Sequence, residues 1–508
     1  MLRRTVIQSA LRRFKRHRED PSVVTGEQTS VSAGQTVYDF AAFLAERYCC
    51  VRLLDVGRTH VTSLVRSTSE TGLPGTGTGP GSGACGLAAE QHYVAREQIR
   101  HDFARRPFRL PDRDIIRGSL VVCAGVMAHL AQTSHLLSSL RDLLEYAPVA
   151  IVTAPFRSRG REDLGSSAGP VRCRDWDLPE FRVLLESAGL EVLFQGLASS
   201  DCANRHKRTI LCIARKPIST PSVPARFRVV AFAGAYNEED VIVPFLDHTI
   251  AQGVDVCLLD NWSTDRTAER AARFLGRGLI AILKFPSNGP VRTHEWRNML
   301  TRKAELAHQT EADWFIHVDP DEIRESPWPG LTLREALFRV DREGFNAVDH
   351  TCLVFHPTGG GFCPNVSLQS QFSHFEFGTR PGHFLQIKAW KRQPEPVDCA
   401  SSGGHEVRFA GRRVYPFKFL LRHYPIRSQE HGERKIYRDR LPRFSPALRQ
   451  VGWHTQYDTL GPKHSFVRNP DTLLAFDPQR FYEEYLVERL SGVGVAGHTA
   501  VPGAHSGR

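Results

Sequence analysis

"WFIHVDPDEI", residues 314–323, decides how the chain is read. Trp314, Phe315, Ile316 and Val318 read as a buried strand, which breaks abruptly into Asp319, Asp321 and Glu322. Asp and Pro are favoured turn residues, so the acids alone need no ligand. Their surroundings give them a second reading. Upstream, "FRVVAFAGAY" runs into "NEED" and the apolar helix pattern "VIVPFLDHTIAQG". "DVCLLD" ends in "NWSTDRT" and the helix pattern "AERAARFLG", and "LIAILKF" leads to "PSNGPVRTHEWRN". The order is β-α-β-α-β-α-β, with polar residues recurring at the carboxyl ends of strands. In open parallel sheets that edge binds ligands.

Each polar cluster suits part of a phosphorylated ligand. Asn237 and Glu238 follow the first strand, where they can meet a base or ribose. Asp260 ends the second strand and can accept hydrogen bonds from a base or sugar hydroxyls. Ser263 and Thr264 read as a cap for the following helix, a role that needs no ligand. Asp319 and Asp321 are two apart, so an extended backbone aims both the same way. Two hard carboxylates suit Mg²⁺ or Mn²⁺, acting as a Lewis acid on a leaving diphosphate.

"AYNEE", "DNWSTDRT" and "HVDPDE" resemble the nucleotide-binding sequences and metal-binding D-x-D of family 2 glycosyltransferases with a GT-A fold. "GHFLQIKAWKR", "SSGGHEV" and "LLRHYPIRSQEHGERK" resemble a bacterial branch of that family. The resemblance spans about residues 227–460 and departs at Trp262, where the family usually has Gly. It implies metal-dependent, inverting transfer of a sugar from a nucleotide-sugar donor to a glycan, lipid or protein acceptor. On that basis Asn237, Glu238, Asp260, Arg297 and Asp319 map to the donor, and Asp319 with Asp321 to the metal–diphosphate site. His423 stands where such enzymes bring a late histidine to the metal, with a core histidine as the rival reading. The acceptor hydroxyl needs a carboxylate base. Glu406, beside a glycine pair that would let its loop close over the donor, is the first candidate. Asp398 and Glu376 compete with it. Arg427 is read either as a diphosphate contact or as a surface salt bridge.

Residues 35–216 alternate Val/Ile/Leu-rich runs ("VRLLDVG", "SLVVCAG", "VAIVTAP", "LEVLFQG", "TILCIAR") with helical patterns, which predicts a second α/β sheet. "LLDVGRTH", "VVCAGVMAHL" and "WDLPEFRVLLESAGLEV" resemble a class I S-adenosylmethionine-dependent methyltransferase, a Rossmann-like fold. Asp55 and Asp102 keep the expected acidic character. Gly57 is followed by Arg58, Thr59 and His60 instead of a second glycine, and Gly125 and Ala128 stand at usually acidic positions. The segment is read as a degenerate domain kept for packing or partner binding, and S-adenosylmethionine is not expected to bind.

These two α/β domains are flanked and joined by simpler segments. Residues 1–34 are basic, and 66–88 are a Gly/Ser-rich insertion. A Pro-rich linker covers 217–226, and 461–508 form a partly disordered extension. The 508 residues are 41% hydrophobic, the balance of a soluble globular protein, and no apolar run is long enough to span a bilayer. The basic N-terminus offers a peripheral contact to an anionic membrane, although a solvated helix is the preferred reading. The eleven cysteines lack a C-x-x-C pair and read as reduced thiols of the cytoplasm. The net charge of +11 is spread along the chain without the aromatic-interleaved basic motif of a nucleic-acid binder. Besides a glycosyltransferase, the residues admit a bifunctional glycosyl/methyltransferase, a nucleotidyltransferase, or a non-catalytic sugar-nucleotide or partner-binding protein.

Overall fold

The computed structural model describes residues 33–57, 95–100, 103, 110, 112–157, 174–199, 208–218, 222–293, 295–359, 361–378, 383, 385–444, 461, 464–485 and 488–491. The basic N-terminus up to residue 32, the Gly/Ser-rich insertion, the Arg58-Thr59-His60 loop and Asp102 lie outside the described residues. The fold is mixed α/β with three sheets. The chain divides into two compact units, Met1–Ser219 with Gln479–Leu486, and Thr220–Pro478 with Val487–Arg508.

The first unit holds β1 (Arg52–Gly57), β2 (Ala95–Arg100), β3 (Ser119–Cys123), β4 (Ala150–Pro155), β5 (Glu191–Ser199) and β6 (Arg208–Arg215) in the order β2-β1-β3-β4-β6-β5. The first four are parallel, and β6 is inserted antiparallel between β4 and β5. Every residue of β3 is buried, as expected of a strand covered on both faces. The helix Ser134–Leu143 buries Leu136, Leu137, Leu140 and Leu143, one face of a 3.6-residue repeat. The helix Leu178–Ser187 starts where Asp177 accepts the Glu180 amide (2.8 Å) and buries Leu178, Phe181 and Leu185.

The second unit begins with the four strands expected from sequence: β7 (Val229–Ala235), β8 (Asp255–Asp260), β9 (Leu279–Lys284) and β10 (Trp314–Val318). They pair in parallel in the order β10-β7-β8-β9. The chain then crosses to another sheet through β11 (Glu322–Glu325). It continues as β12 (Ala347–Val348), β13 (His350–Phe355), β14 (His374–Phe377), β15 (Ala389–Lys391), β16 (Phe419–His423) and β17 (Leu474–Ala475). β15 adds antiparallel to β10 and is followed by β12, while the other sheet runs β11-β16-β13-β14-β17. Two consequences fix the site. The turn from Asp319 to Glu322 lies where the chain leaves one sheet for the other, and the β11–β16 register sets Glu322 opposite His423.

Beyond residue 460, Leu474–Ala475 forms the edge strand beside β14 and Leu490 bridges to Phe417. Part of the Pro-rich linker is also tied down. Arg334 donates to the carbonyls of Pro224 (2.6 Å) and Phe227 (2.9 Å). Among the described residues, no helix is long and apolar enough to cross a membrane, and the cysteines are free thiols.

Candidate functional site

The loops after β7 and β8 turn the same way. Asn237 (φ 55°) and Trp262 (φ 58°) each stand two residues beyond their strand in the left-handed region. Asn237 donates its N–H to Ser263 Oγ (3.1 Å), and its Oδ1 accepts the Thr264 N–H (2.9 Å). Ser263 and Thr264 therefore clamp the neighbouring loop. The capping role expected of them falls to Asp265, which accepts the Thr267 N–H (2.9 Å). Asp260 is fully buried and accepts from the Ser263 N–H (3.2 Å) and the Lys284 ammonium. Trp262 departs in side chain but keeps the turn. A left-handed residue other than glycine costs about 1–2 kcal/mol, and the indole N–H anchors this one on the Pro286 carbonyl (2.8 Å). Beside these loops the Arg443 guanidinium lies 3.8 Å over the Tyr236 ring and bonds Asn261 Oδ1.

The acids after β10 diverge. The Glu322 N–H closes a four-residue turn on the Asp319 carbonyl (3.0 Å), so the backbone is not extended and the two aspartates face different partners. Asp319 faces the buried Lys303, 3.5 Å away. Lys303 Nζ also lies 3.0 Å from His317 Nδ1 and donates to the Val318 carbonyl (3.2 Å). It passes close over Gly234, where a Cβ would stand 3.2 Å from that ammonium. Asp321 faces Lys435, which donates to its Oδ2 (2.8 Å) and to Glu238 Oε1 (3.0 Å). Glu238 and its neighbour Asp240 share the Arg427 guanidinium, which donates to both at 2.7–3.0 Å. Glu322 takes Lys388 (2.7 Å) and Arg324 (2.8 Å). Glu238, Asp240, Asp319, Asp321 and Glu322 thus meet Lys303, Arg324, Lys388, Arg427 and Lys435, five acids against five cations.

Electrostatics follow from that pairing. Burial pushes the Asp321 carboxyl up, but Lys435, His423 and Arg427 together outweigh it and hold it well below the carboxylate range. Glu322 is held down in the same way by Lys388 and Arg324 against its burial. Burial raises Asp319, with only Lys303 and Lys388 opposing. It also lowers Lys303 to about 8, despite the neighbouring Asp319.

Several residues expected from sequence meet here. Glu238 and Asp321 share one ammonium, Asn237 joins the β8 loop that Asp260 shapes, and His423 Nε2 lies 3.8 Å from Asp321 Oδ1. Arg297 occupies the first turn of the helix Trp296–Gln309 and is exposed. The Glu406 carboxylate is buried and held by Arg408 (3.2 Å) and Arg412 (2.7 Å). The adjacent residue takes the other side: His405 Nδ1 lies 3.3 Å from Gln386 Nε2. The His405 ring is 6.3 Å from that of His383, itself 6.1 Å from His423. Burial lowers His405 to about 4. The glycine pair serves packing, since a Cβ on Gly404 (φ 89°) would come within 2.9 Å of His317 Nε2. The competing bases are also engaged: Asp398 accepts the Ala400 and Ser401 amides (2.9 Å each), and Glu376 pairs with His356 (3.0 Å). Arg427 is fully buried, so the surface salt-bridge reading fails.

Of the residues read from sequence as metal ligands, Asp321 Oδ1 and His423 Nε2 lie 3.8 Å apart, and Asp319 does not complete a trio of ligand atoms within 4.8 Å of one another. Asp319 Oδ1 is buried with no hydrogen-bond donor, and carboxylate oxygens with an imidazole suit Mn²⁺ or Mg²⁺. Among the described residues, the acid and imidazole groups whose ligand atoms lie within 4.8 Å of one another are Glu238, Asp240 and His431. Their two carboxylates hold the Arg427 guanidinium, and His431 Nδ1 accepts the Arg427 backbone N–H (3.2 Å), so all three are already engaged by one residue.

No protein-family model matches the chain, and no curated protein matches it. Among solved structures, it is similar to S. aureus TarS at 14% identity and a TM-score of 0.24, over 50% of this chain and 46% of that one. Glucosyl-3-phosphoglycerate synthase from Mycobacterium tuberculosis, solved with Mn²⁺, uridine diphosphate and glucosyl-3-phosphoglycerate, is similar at 22% identity and a TM-score of 0.19. There the match covers 27% of this chain and 50% of the synthase. Magnesium protoporphyrin IX methyltransferase (ChlM) from Synechocystis, solved with SAH, gives 15% identity and a TM-score of 0.23 over 41% of this chain and 95% of that one. The chain spans about half the length of the first two. Scores of this size fall short of a shared fold, so the functional reading rests on the residues themselves.

Proposed function

We propose that the second unit is a GT-A-type, family 2 glycosyltransferase that moves a sugar from a nucleotide-diphosphate donor to an acceptor hydroxyl. One observation carries the reading: Lys435 joins Glu238, after β7, to Asp321, after β10. Polar loops from non-consecutive strands of a parallel sheet therefore meet at one charged point on its carboxyl edge, where such sheets bind nucleotides. Tyr236, Asp260 and Asn261 line the side suited to a base and ribose, and the acid turn suits a diphosphate. Mn²⁺ or Mg²⁺ held by Asp319, Asp321 and His423 would draw charge from the leaving diphosphate. Lys303, fixed behind Asp319, adds a positive charge beside it while it holds its proton.

A panel of nucleotide-sugars with Mn²⁺ tests the reading by thermal shift and by release of nucleoside diphosphate. One donor should raise the melting temperature and be slowly hydrolysed without acceptor. Asp321→Asn should weaken that binding at least tenfold while the protein stays folded. Release of pyrophosphate from a nucleoside triphosphate would instead identify a nucleotidyltransferase, and binding without turnover a non-catalytic binding protein.

The first unit is proposed not to use S-adenosylmethionine. Within its first strand, the buried Asp55 accepts the Tyr38 hydroxyl (2.7 Å), so this acid is engaged inside the fold. Full-length protein should show no saturable binding of that cofactor by calorimetry. Micromolar binding would make the chain a bifunctional enzyme.

A further inference from the structure

We infer that Lys435 is the resident counter-cation of the acid turn, a positioning residue that keeps a divalent metal out of the site while no diphosphate is bound. The inference rests on the glycosyl-transfer reading for the identity of the diphosphate, but not for its geometry. The ammonium lies between Glu238 Oε1 (3.0 Å) and Asp321 Oδ2 (2.8 Å), and all three side chains are buried. A cation shared by carboxylates of two loops occupies one edge of Asp321 and leaves Oδ1 facing His423.

Charge balance gives this placement its consequence. With four buried acids and the partly exposed Asp319 already matched by five buried cations, the site holds no net negative charge to draw a dication in. Adding unmatched charge to a low-dielectric site is strongly unfavourable. A diphosphate brings its own negative charge and removes that objection, so metal and diphosphate enter together. The local backbone supports the role. Lys435 lies in a π-helical stretch, Arg434–Arg440, an uncommon geometry concentrated at functional sites. Asp439, one turn on, accepts the Asn237 amide (3.2 Å), so the same stretch reaches the β7 loop twice.

The test is a titration of the full-length protein with Mn²⁺ alone, reading free Mn²⁺ by electron paramagnetic resonance. The wild type should bind no Mn²⁺ below millimolar concentration. Lys435→Met should bind it at least tenfold more tightly, and Lys435→Arg, which keeps the charge, should behave as wild type. A merely structural lysine would give loss, not this gain. Micromolar binding by the wild type overturns the inference without need of any variant. So does a Lys435→Met protein that keeps its near-ultraviolet circular dichroism but gains no affinity. A parallel series adds uridine, guanosine, adenosine, cytidine and thymidine diphosphates in turn. If none promotes Mn²⁺ binding to the wild type, the nucleotide-sugar reading falls, while the metal-alone result still decides the role of Lys435.

Discussion

The two units build the same kind of edge and furnish it differently. In the first, β3 ends at Cys123 and the chain turns left-handed two residues later at Gly125 (φ 72°), whose N–H donates to Thr153 Oγ (3.0 Å). In the second, β7 and β8 end at Ala235 and Asp260 and turn left-handed two residues later at Asn237 and Trp262. The backbone device is shared; the side chains are not. Around Gly125 a Cβ would meet nothing within 4 Å, whereas the second edge is filled by a lattice of buried ion pairs. A parallel-sheet edge provides a place for chemistry, and the charges brought to it decide whether any occurs.

Removing a member of that lattice should have the largest effect. Arg427 is fully buried and satisfies both Glu238 and Asp240, so Arg427→Met takes from buried Asp240 its cation and leaves Glu238 with Lys435, which it shares with Asp321. A loss of about 3–5 kcal/mol is expected, the usual consequence of breaking one side of a buried pair. Urea denaturation of the full chain measures it. A loss below about 1 kcal/mol would mean that water reaches the acids, and the contrast with the first unit would weaken.

The next effect is in pH. Burial lowers the folded Lys303 to about 8 from an ordinary value of 10.5. Below about 8 the lysine is charged in both states, and the cost of burying that charge is fully present. Between about 8 and 10.5 the unfolded chain holds a proton the folded chain has released, so stability rises with pH by up to about 1.4 kcal/mol per unit. Lys303→Met should abolish this rise. The check is the difference in stability between wild type and variant at pH 7.5 and 10, which should shrink as the pH climbs.

How much of this was legible varies by residue. The alternation from Val229 to Val318 was plain, because strands buried on both faces read as continuous apolar runs and the helices between them keep their period. Asp319 and Asp321 announced themselves by breaking such a run, but not the turn that points them apart. Their opposed directions come from a single backbone hydrogen bond. Of the cations only Arg427 was singled out, as a diphosphate contact or a surface salt bridge, since one lysine or arginine among 66 looks like solvated surface. Lys303 did leave a signal: in its helix the buried positions are Met299, Leu300, Lys303, Ala304 and Ala307, so a charge sits on the apolar stripe. Arg427 and Lys435 left none beyond the resemblance, because their partners are about 190 residues away in the chain. The arginines that hold Glu406 were not foreseen, although Arg408 and Arg412 follow it closely in the chain, nor was the neighbouring His405 ring 6.3 Å from that of His383.

A smaller effect is expected in the first unit. Tyr38→Phe removes the hydroxyl that Asp55 accepts, a hydrogen bond of about 1–1.5 kcal/mol. The variant should lose that much stability in urea and should still bind no S-adenosylmethionine. Cofactor binding gained on releasing Asp55 would show that this edge is latent rather than vacant, and the comparison between the units would have to be redrawn.

The finest comparison concerns the turn itself. Trp262 adopts at φ 58° a conformation that Gly125 adopts at φ 72° without cost. Trp262→Ala keeps the left-handed strain and loses both the indole hydrogen bond to Pro286 and the ring beneath the Lys284 ammonium. Trp262→Gly loses the same contacts but relieves the strain. The glycine variant should therefore be the more stable of the two by about 1 kcal/mol, although glycine gains more freedom in the unfolded chain, which trims the difference. Gly125→Ala supplies the converse. With open space around the new Cβ, its loss of about 1 kcal/mol would come from backbone strain alone. If Trp262→Ala equals or exceeds Trp262→Gly in urea stability, the turn after β8 relaxes when its anchor is removed. The tryptophan, and not the strand end, would then be what holds that loop left-handed.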